Sequence, residues 1–136
     1  MIMDHKLKLM VVDDSPLFRT WLIRSLSEDD RFQIVGYAVN ALDAQEKIPL
    51  LQPDMLTLDI EMPGMSGIDF LKQLLPVHPI PVILVSSLNL RVFDALEAGA
   101  VDFVRKPDEA NGLSKEIFLS MLRSKLMVAA ASHVHL

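Results

Sequence analysis

Short apolar runs alternate along the chain with longer stretches in which apolar residues recur every three or four positions. Leu7–Val12 (LKLMVV) is a compact apolar run that stops abruptly at Asp13-Asp14. Ser15-Pro16 then supplies a helix cap and the residue best tolerated at the first helical position. Phe18, Leu22 and Leu26, spaced by four, mark a helix with one buried stripe. Beyond a polar connection over Ser27–Arg31, Phe32–Ala38 predicts a second strand and Ala41–Leu51 a second helix stopped near Pro53. Met55–Leu58 predicts a third strand, and it too ends at an acid, Asp59. Pro63-Gly64 and Gly67 predict a loop, and Ile68, Leu71, Leu74 and Leu75 the third helix. Pro81–Val85 is the most strand-like segment and ends at Ser86-Ser87. A short helix over Leu90–Glu97 precedes Gly99, a candidate C-terminal cap. Val101–Val104 predicts the fifth strand, closed by Arg105-Lys106-Pro107, and Leu113 to about Ala131 the last helix.

Five strands alternating with five helices at these spacings suit βαβ units, and apolar strands without strict alternation suit burial on both faces. The pattern therefore predicts an α/β fold, a doubly wound five-stranded parallel sheet. The 136 residues contain no repeat, linker or low-complexity tract, so one domain is expected over residues 1–136, with a core over about 7–128. A 51% hydrophobic and 23% charged composition is that of a globular chain. The net charge of −5, with no basic patch, argues against nucleic acid as a partner. The absence of cysteine excludes disulfide scaffolds, Cys-ligated metals and thiol catalysis. The first residues carry neither a span-length apolar run nor a signal-peptide pattern, so a cytoplasmic protein with no membrane partner is expected.

Ligands of open α/β sheets bind beyond the carboxyl ends of the strands. The residues there are Asp13-Asp14, Asp59, Ser86-Ser87 and Lys106. Each alone has an ordinary explanation as a helix cap, a turn residue or a solvated lysine; together they gather on one rim. Like charges about 4 Å apart repel by about 4 kcal/mol at an effective dielectric of about 20, so three carboxylates need a proton or a cation among them. Hard oxygen ligands without His or Cys point to Mg²⁺. Carboxylates, a hydroxyl, an ammonium and a hard cation suit a phosphoryl group. Acyl hydrolysis lacks a base: His5, His78, His133 and His135 fall in the termini or a helix-to-strand loop and are expected at the surface.

VVDDSP, TLDIEMPGMSG, PVILVSS and GAVDFVRKP resemble, in this order, the motifs of the receiver domain of two-component response regulators. TLDIEMP, the VSSL segment and GAVDFVRKP are most similar to the receivers of chemotaxis protein-glutamate methylesterases. The resemblance implies a flavodoxin-like sheet of order 2-1-3-4-5. It implies that Asp59 is the phosphoacceptor for a phosphohistidine on a histidine kinase, and that Mg²⁺ is held by Asp13, Asp14, Asp59 and the Glu61 backbone carbonyl. Ser86 corresponds to the switch hydroxyl, Phe103 to the switch aromatic and Lys106 to the phosphate-binding lysine, with a cis bond at Lys106-Pro107. Phosphorylation would then reshape the surface of the fourth helix, fifth strand and fifth helix. Glu61 and Leu88 flank the reaction site and are positioned to tune dephosphorylation. Ser66 stands where the family usually has Asp, which alters a helix cap, and the Ser86–Gly99 stretch is about one helical turn short, which bears on the output surface.

No methylesterase catalytic domain accompanies these motifs, so a stand-alone receiver or a fragment ending past the fifth helix is expected, with no enzymatic activity beyond its own phosphorylation and autodephosphorylation. A methylesterase output domain would lie in a longer parent. The C-terminal LMVAAASHVHL is apolar without an evident burial site, and Met121, Leu122, Leu126 and Val128 span more than one core stripe. A clipped linker, a frayed helix end, or a dimer through this helix or the switch surface would each account for it. The alternative function is a Mg²⁺-dependent aspartyl-phosphate phosphohydrolase acting on small phosphoesters; against it, Asp59-Ile60-Glu61 lacks the D-x-D pair and no cap domain is present. A flavodoxin-like nucleotide binder ranks last, since no Gly-rich or hydroxyl-rich loop follows the first strand.

Overall fold

The computed structural model describes residues 6–133 apart from residue 63 and residues 88–90. Its elements in chain order are β1 (Leu7–Val12), α1 (Pro16–Ser27), β2 (Phe32–Ala38), α2 (Ala41–Leu51), β3 (Met55–Leu58), α3 (Gly67–Leu74), β4 (Val82–Ser86), α4 (Arg91–Glu97), β5 (Asp102–Arg105) and α5 (Lys115–His133). The strands form one parallel sheet of order β2-β1-β3-β4-β5. The expected doubly wound, flavodoxin-like α/β architecture is therefore present.

Alternate residues of the central strands point to opposite faces, and each face is covered by its own helices. Leu9 and Val11 of β1 and Ile83 and Val85 of β4 pack with Leu22 and Leu26 of α1 and Phe118, Leu122 and Leu126 of α5. Met10, Val12, Leu56, Leu58, Val82 and Leu84 pack on the other face with Ala44 and Ile48 of α2, Phe70, Leu71 and Leu74 of α3, and Val92 and Ala95 of α4. Two-sided burial is why these strands are apolar throughout. The β1–β2 ladder slips once: Leu9 pairs with Ile34 but Met10 with Gly36, leaving Val35 as a bulged residue on the edge strand.

The helices begin where the caps predict. Ser15 Oγ accepts from Phe18 N at 3.4 Å, with Pro16 opening α1. Ser66 Oγ accepts from Asp69 N at 3.1 Å and caps α3. α4 closes on Gly99, whose φ of 117° permits Ala100 N to reach Ala95 O at 3.1 Å and Gly99 N to reach Leu96 O at 3.1 Å.

Four expectations are corrected. Both β4 and β5 end one residue later than the apolar runs, because Ser86 pairs with Arg105 in the ladder. The last helix runs over Lys115–His133 instead of Leu113 to about Ala131, because a 3₁₀ turn over Glu109–Asn111 and an Asp108–Leu113 bridge precede it and Ser114 caps it. The apolar C-terminal stretch does have a burial site, since Leu126, Ala129 and Ala130 lie in the α1–α5 core, while Met121 and Val128 face outward. Finally, the Lys106-Pro107 bond is trans, like every other peptide bond among the described residues; trans is the favoured isomer of X–Pro by about 0.5–1 kcal/mol. Pro63, Leu88, Leu90, His5 and His135 lie outside the described residues.

Candidate functional site

The site residues are the first to leave their strands, yet their backbones remain tied to the sheet. Asp13 N donates to Ala38 O at 3.0 Å, Asp59 N to Val12 O at 3.0 Å and Lys106 N to Ser86 O at 2.9 Å. Each functional side chain therefore springs from a peptide anchored to the neighbouring strand, and parallel register brings all of them to one rim.

Asp13 and Asp59 are buried, Asp14 exposed and Lys106 half-buried. One oxygen from each of the three carboxylates lies within 4.8 Å of the others. The Lys106 ammonium bridges two of them, 3.0 Å from Asp13 Oδ2 and 3.2 Å from Asp59 Oδ2. The remaining oxygens of those two acids are held by main-chain donors: Ser15 N to Asp13 Oδ1 at 2.8 Å, and Glu61 N to Asp59 Oδ1 at 2.9 Å. Arg19 clamps the loop from outside, donating to the Asp13 carbonyl at 2.8 Å with its guanidinium 4.6 Å from the Tyr37 ring centroid.

Two acids share one ammonium, and the titration tendencies follow from that. Burial pushes the Asp59 carboxyl above its usual value; the Glu61 amide and Lys106 oppose the shift and Asp13 adds to it. Burial alone would lower Lys106, but the charges of Asp59 and Asp13 outweigh it and hold the ammonium above its usual value. A hard divalent cation is the complementary ion for three carboxylate oxygens with no soft ligand beside them, so Asp13, Asp14 and Asp59 fit Mg²⁺.

Ser86 ends β4 with its Oγ buried and without a hydrogen-bond partner, whereas Ser87 is exposed. An unsatisfied buried hydroxyl costs about 1–3 kcal/mol, and Ser86 stands at the carboxyl end of β4, with its carbonyl accepting from Lys106 N. Phe103 is half-buried against the α2–α4 face. Lys125 of α5 holds its strand, donating to Phe103 O at 2.8 Å and Asp102 Oδ1 at 3.1 Å, with the ammonium 5.6 Å from the Phe103 ring. Glu61 is exposed, and His78 lies half-buried in the turn after α3, at the opposite end of the sheet.

Sequence reasoning missed Arg19, Gly67 and Lys125. Gly67 opens α3 so close to the Asp59 loop that a Cβ there would lie 2.6 Å from Ile60 Cα. Its legible signal was a glycine two residues beyond Met65 at a helix start; the close approach itself is a tertiary fact. Phe18 was assigned to the buried stripe of α1, but its ring also lies 4.6 Å from the Lys106 ammonium.

The β2-β1-β3-β4-β5 sheet carries an acidic pair, a central Asp, a hydroxyl and a lysine at its strand ends, and the chain belongs to the response regulator receiver domain family, whose model matches residues 9–118. Within it, the chain is similar to the receivers of the CheB methylesterases. The protein-glutamate methylesterase/protein-glutamine glutaminase 2 of Syntrophomonas wolfei is 45% identical over 130 residues, covering 96% of this chain and 38% of that protein. The protein of the same description from Vibrio vulnificus is 42% identical over 137 residues, covering 98% of this chain and 40% of that one. The chain thus spans about two fifths of the length of these relatives. The crystal structure of the response regulator domain of Thermotoga maritima CheB superposes with a TM-score of 0.81 at 36% identity, covering 93% of this chain and 98% of that one. Among the described residues no helix is long and apolar enough to cross a membrane.

Proposed function

We propose that the chain is a single receiver domain in which Asp59 takes a phosphoryl group from a phosphohistidine on a histidine kinase of the chemotaxis type. The observation that carries this reading is the convergence of the Asp13, Asp14 and Asp59 carboxylates on one rim, with the Lys106 ammonium shared between Asp13 and Asp59. An Asp59 carboxylate oxygen attacks phosphorus, the N–P bond breaks with its electrons returning to imidazole, and an acyl phosphate forms. Bound Mg²⁺, held by Asp13, Asp14, Asp59 and the Glu61 carbonyl, would supply charge neutralisation for the phosphoryl oxygens. Lys106, released from sharing two carboxylates, pairs with a phosphoryl oxygen. Ser86 Oγ donates to another and so ends its unpartnered state.

Movement of Ser86 toward the phosphoryl group frees space for Phe103 to turn inward, and the surface of α4, β5 and α5 changes as a population shift between two packings. The output this surface regulates is a methylesterase domain, as the names of the relatives suggest. The small-phosphoester hydrolase alternative gains nothing from the geometry, since the second acid after Asp59, Glu61, is exposed.

Mass spectrometry after treatment with acetyl phosphate and Mg²⁺ tests the chemistry. The expected result is the gain of one phosphoryl group by the wild-type chain and none by Asp59→Asn. An equal gain in that variant would move the acceptor elsewhere, and catalytic turnover of a generic phosphoester would favour the hydrolase.

A further inference from the structure

Lys106 has a third neighbour besides its two carboxylates. Its ammonium lies 4.6 Å from the centroid of the Phe18 ring, within cation–π range. That ring is fixed from behind: Trp21 lies 5.7 Å away and Phe118 of α5 meets it edge-on at 5.9 Å. From the front, Ser15 Oγ holds the Phe18 amide, in the same loop that carries Asp13 and Asp14. An apolar residue chosen only to fill the α1–α5 core needs no ring placed against a charge.

We propose that Phe18 is a positioning residue for Lys106, its ring forming a neutral wall that keeps the ammonium over the acceptor when its carboxylate partners change. The proposal rests on the phosphoacceptor reading of Asp59. When a phosphoryl group arrives, Lys106 must loosen from Asp59 and Asp13 to reach it, and a long flexible side chain freed in this way has many other rotamers. A third acid could restrain it, but would add negative charge to a rim that already gathers three carboxylates. An aromatic face attracts the cation through its quadrupole, adds no net charge and does not compete in geometry with the oxyanion. A leucine would fill the same space without that field.

The test is a titration with beryllofluoride, a phosphoryl mimic, at saturating Mg²⁺, on wild type, Phe18→Leu and Phe18→Tyr, each checked for folding by thermal melting. Loss of the ring in Phe18→Leu is expected to weaken beryllofluoride binding about 3–10-fold, and Phe18→Tyr to stay within about twofold of wild type. Wild-type affinity in a folded Phe18→Leu, or an equal loss in Phe18→Tyr, overturns the proposal. Proton NMR adds a readout that needs no ligand: the Lys106 ε-methylene resonances should be shifted upfield by the ring in wild type and Phe18→Tyr. Unshifted wild-type resonances also overturn it, even if Phe18→Leu does not fold. If wild type binds no beryllofluoride while the resonances are shifted, the failure lies with the phosphoacceptor reading and not with the Phe18–Lys106 contact.

Discussion

Asp59 carries a stability cost of its own. Its carboxyl is raised by burial above the usual 3.8, so the folded chain holds that proton more tightly than the unfolded one. Stability contributed by this group is therefore full below the unfolded value and falls as pH rises through the folded value. At neutral pH the ionised carboxylate opposes folding. Asp59→Asn is accordingly expected to raise the melting temperature at pH 7 without divalent ions and to lose that advantage near pH 3.5. Thermal melts at the two pH values check the sign; a destabilised variant at pH 7 would contradict it. Mg²⁺ should stabilise wild type more than this variant, by ligand linkage. Lys106→Met acts in the other direction, leaving Asp13 and Asp59 buried beside each other without their shared cation. A loss of about 1–3 kcal/mol at pH 7 is expected in denaturant titrations.

Elements hold these residues in place by contacts between backbone and backbone. Gly67 packs against Ile60, the residue next to Asp59, where a Cβ would lie 2.6 Å from a main-chain carbon that has no rotamer to give. Gly67→Ala is expected to displace the Asp59 loop, costing about 1–3 kcal/mol and slowing acetyl phosphate labelling. Normal labelling at wild-type stability would show that the loop tolerates the methyl group. Gly99→Ala places a side chain at a φ of 117° and 2.5 Å from Leu75 Cδ1; a loss of about 1–3 kcal/mol is expected with labelling chemistry intact. These two glycines mark a boundary of what the sequence discloses. The bounds of β1, β2, β3 and α2 could be read from apolar runs and caps, and Asp13, Asp14, Asp59 and Lys106 from where those runs stop. Ser86 as a ladder residue, and the 3₁₀ turn before α5, could not: they depend on the partner strand and on a local bridge, which periodicity does not encode.

At the scale of the whole molecule, α5 joins the site to the core. Its start supplies Phe118 beneath Phe18, its middle ties Lys125 to Asp102 and Phe103, and its end buries Leu126, Ala129 and Ala130. The apolar tail that looked unpartnered in sequence is thus part of one face of the sheet; its burial was illegible because it depends on how α5 lies against α1 and the sheet, which the spacing of apolar residues does not encode. Removing residues 126–136 is expected to cost about 3 kcal/mol or more, since a fully buried leucine alone is worth about 2–5 kcal/mol when truncated. Chemical denaturation of the shortened chain checks this, and an unchanged midpoint would mean the tail is dispensable.

The bulge at Val35 has a consequence for how copies of the chain meet. β2 is one margin of the sheet, and its broken pairing with β1 twists it away from the flat template that a foreign strand needs. The other margin, β5, is four residues long with Asp102 and Arg105 at its ends. Neither border invites the sheet to be continued from molecule to molecule, so polymerisation by strand addition is disfavoured and encounters with other proteins fall to the helices.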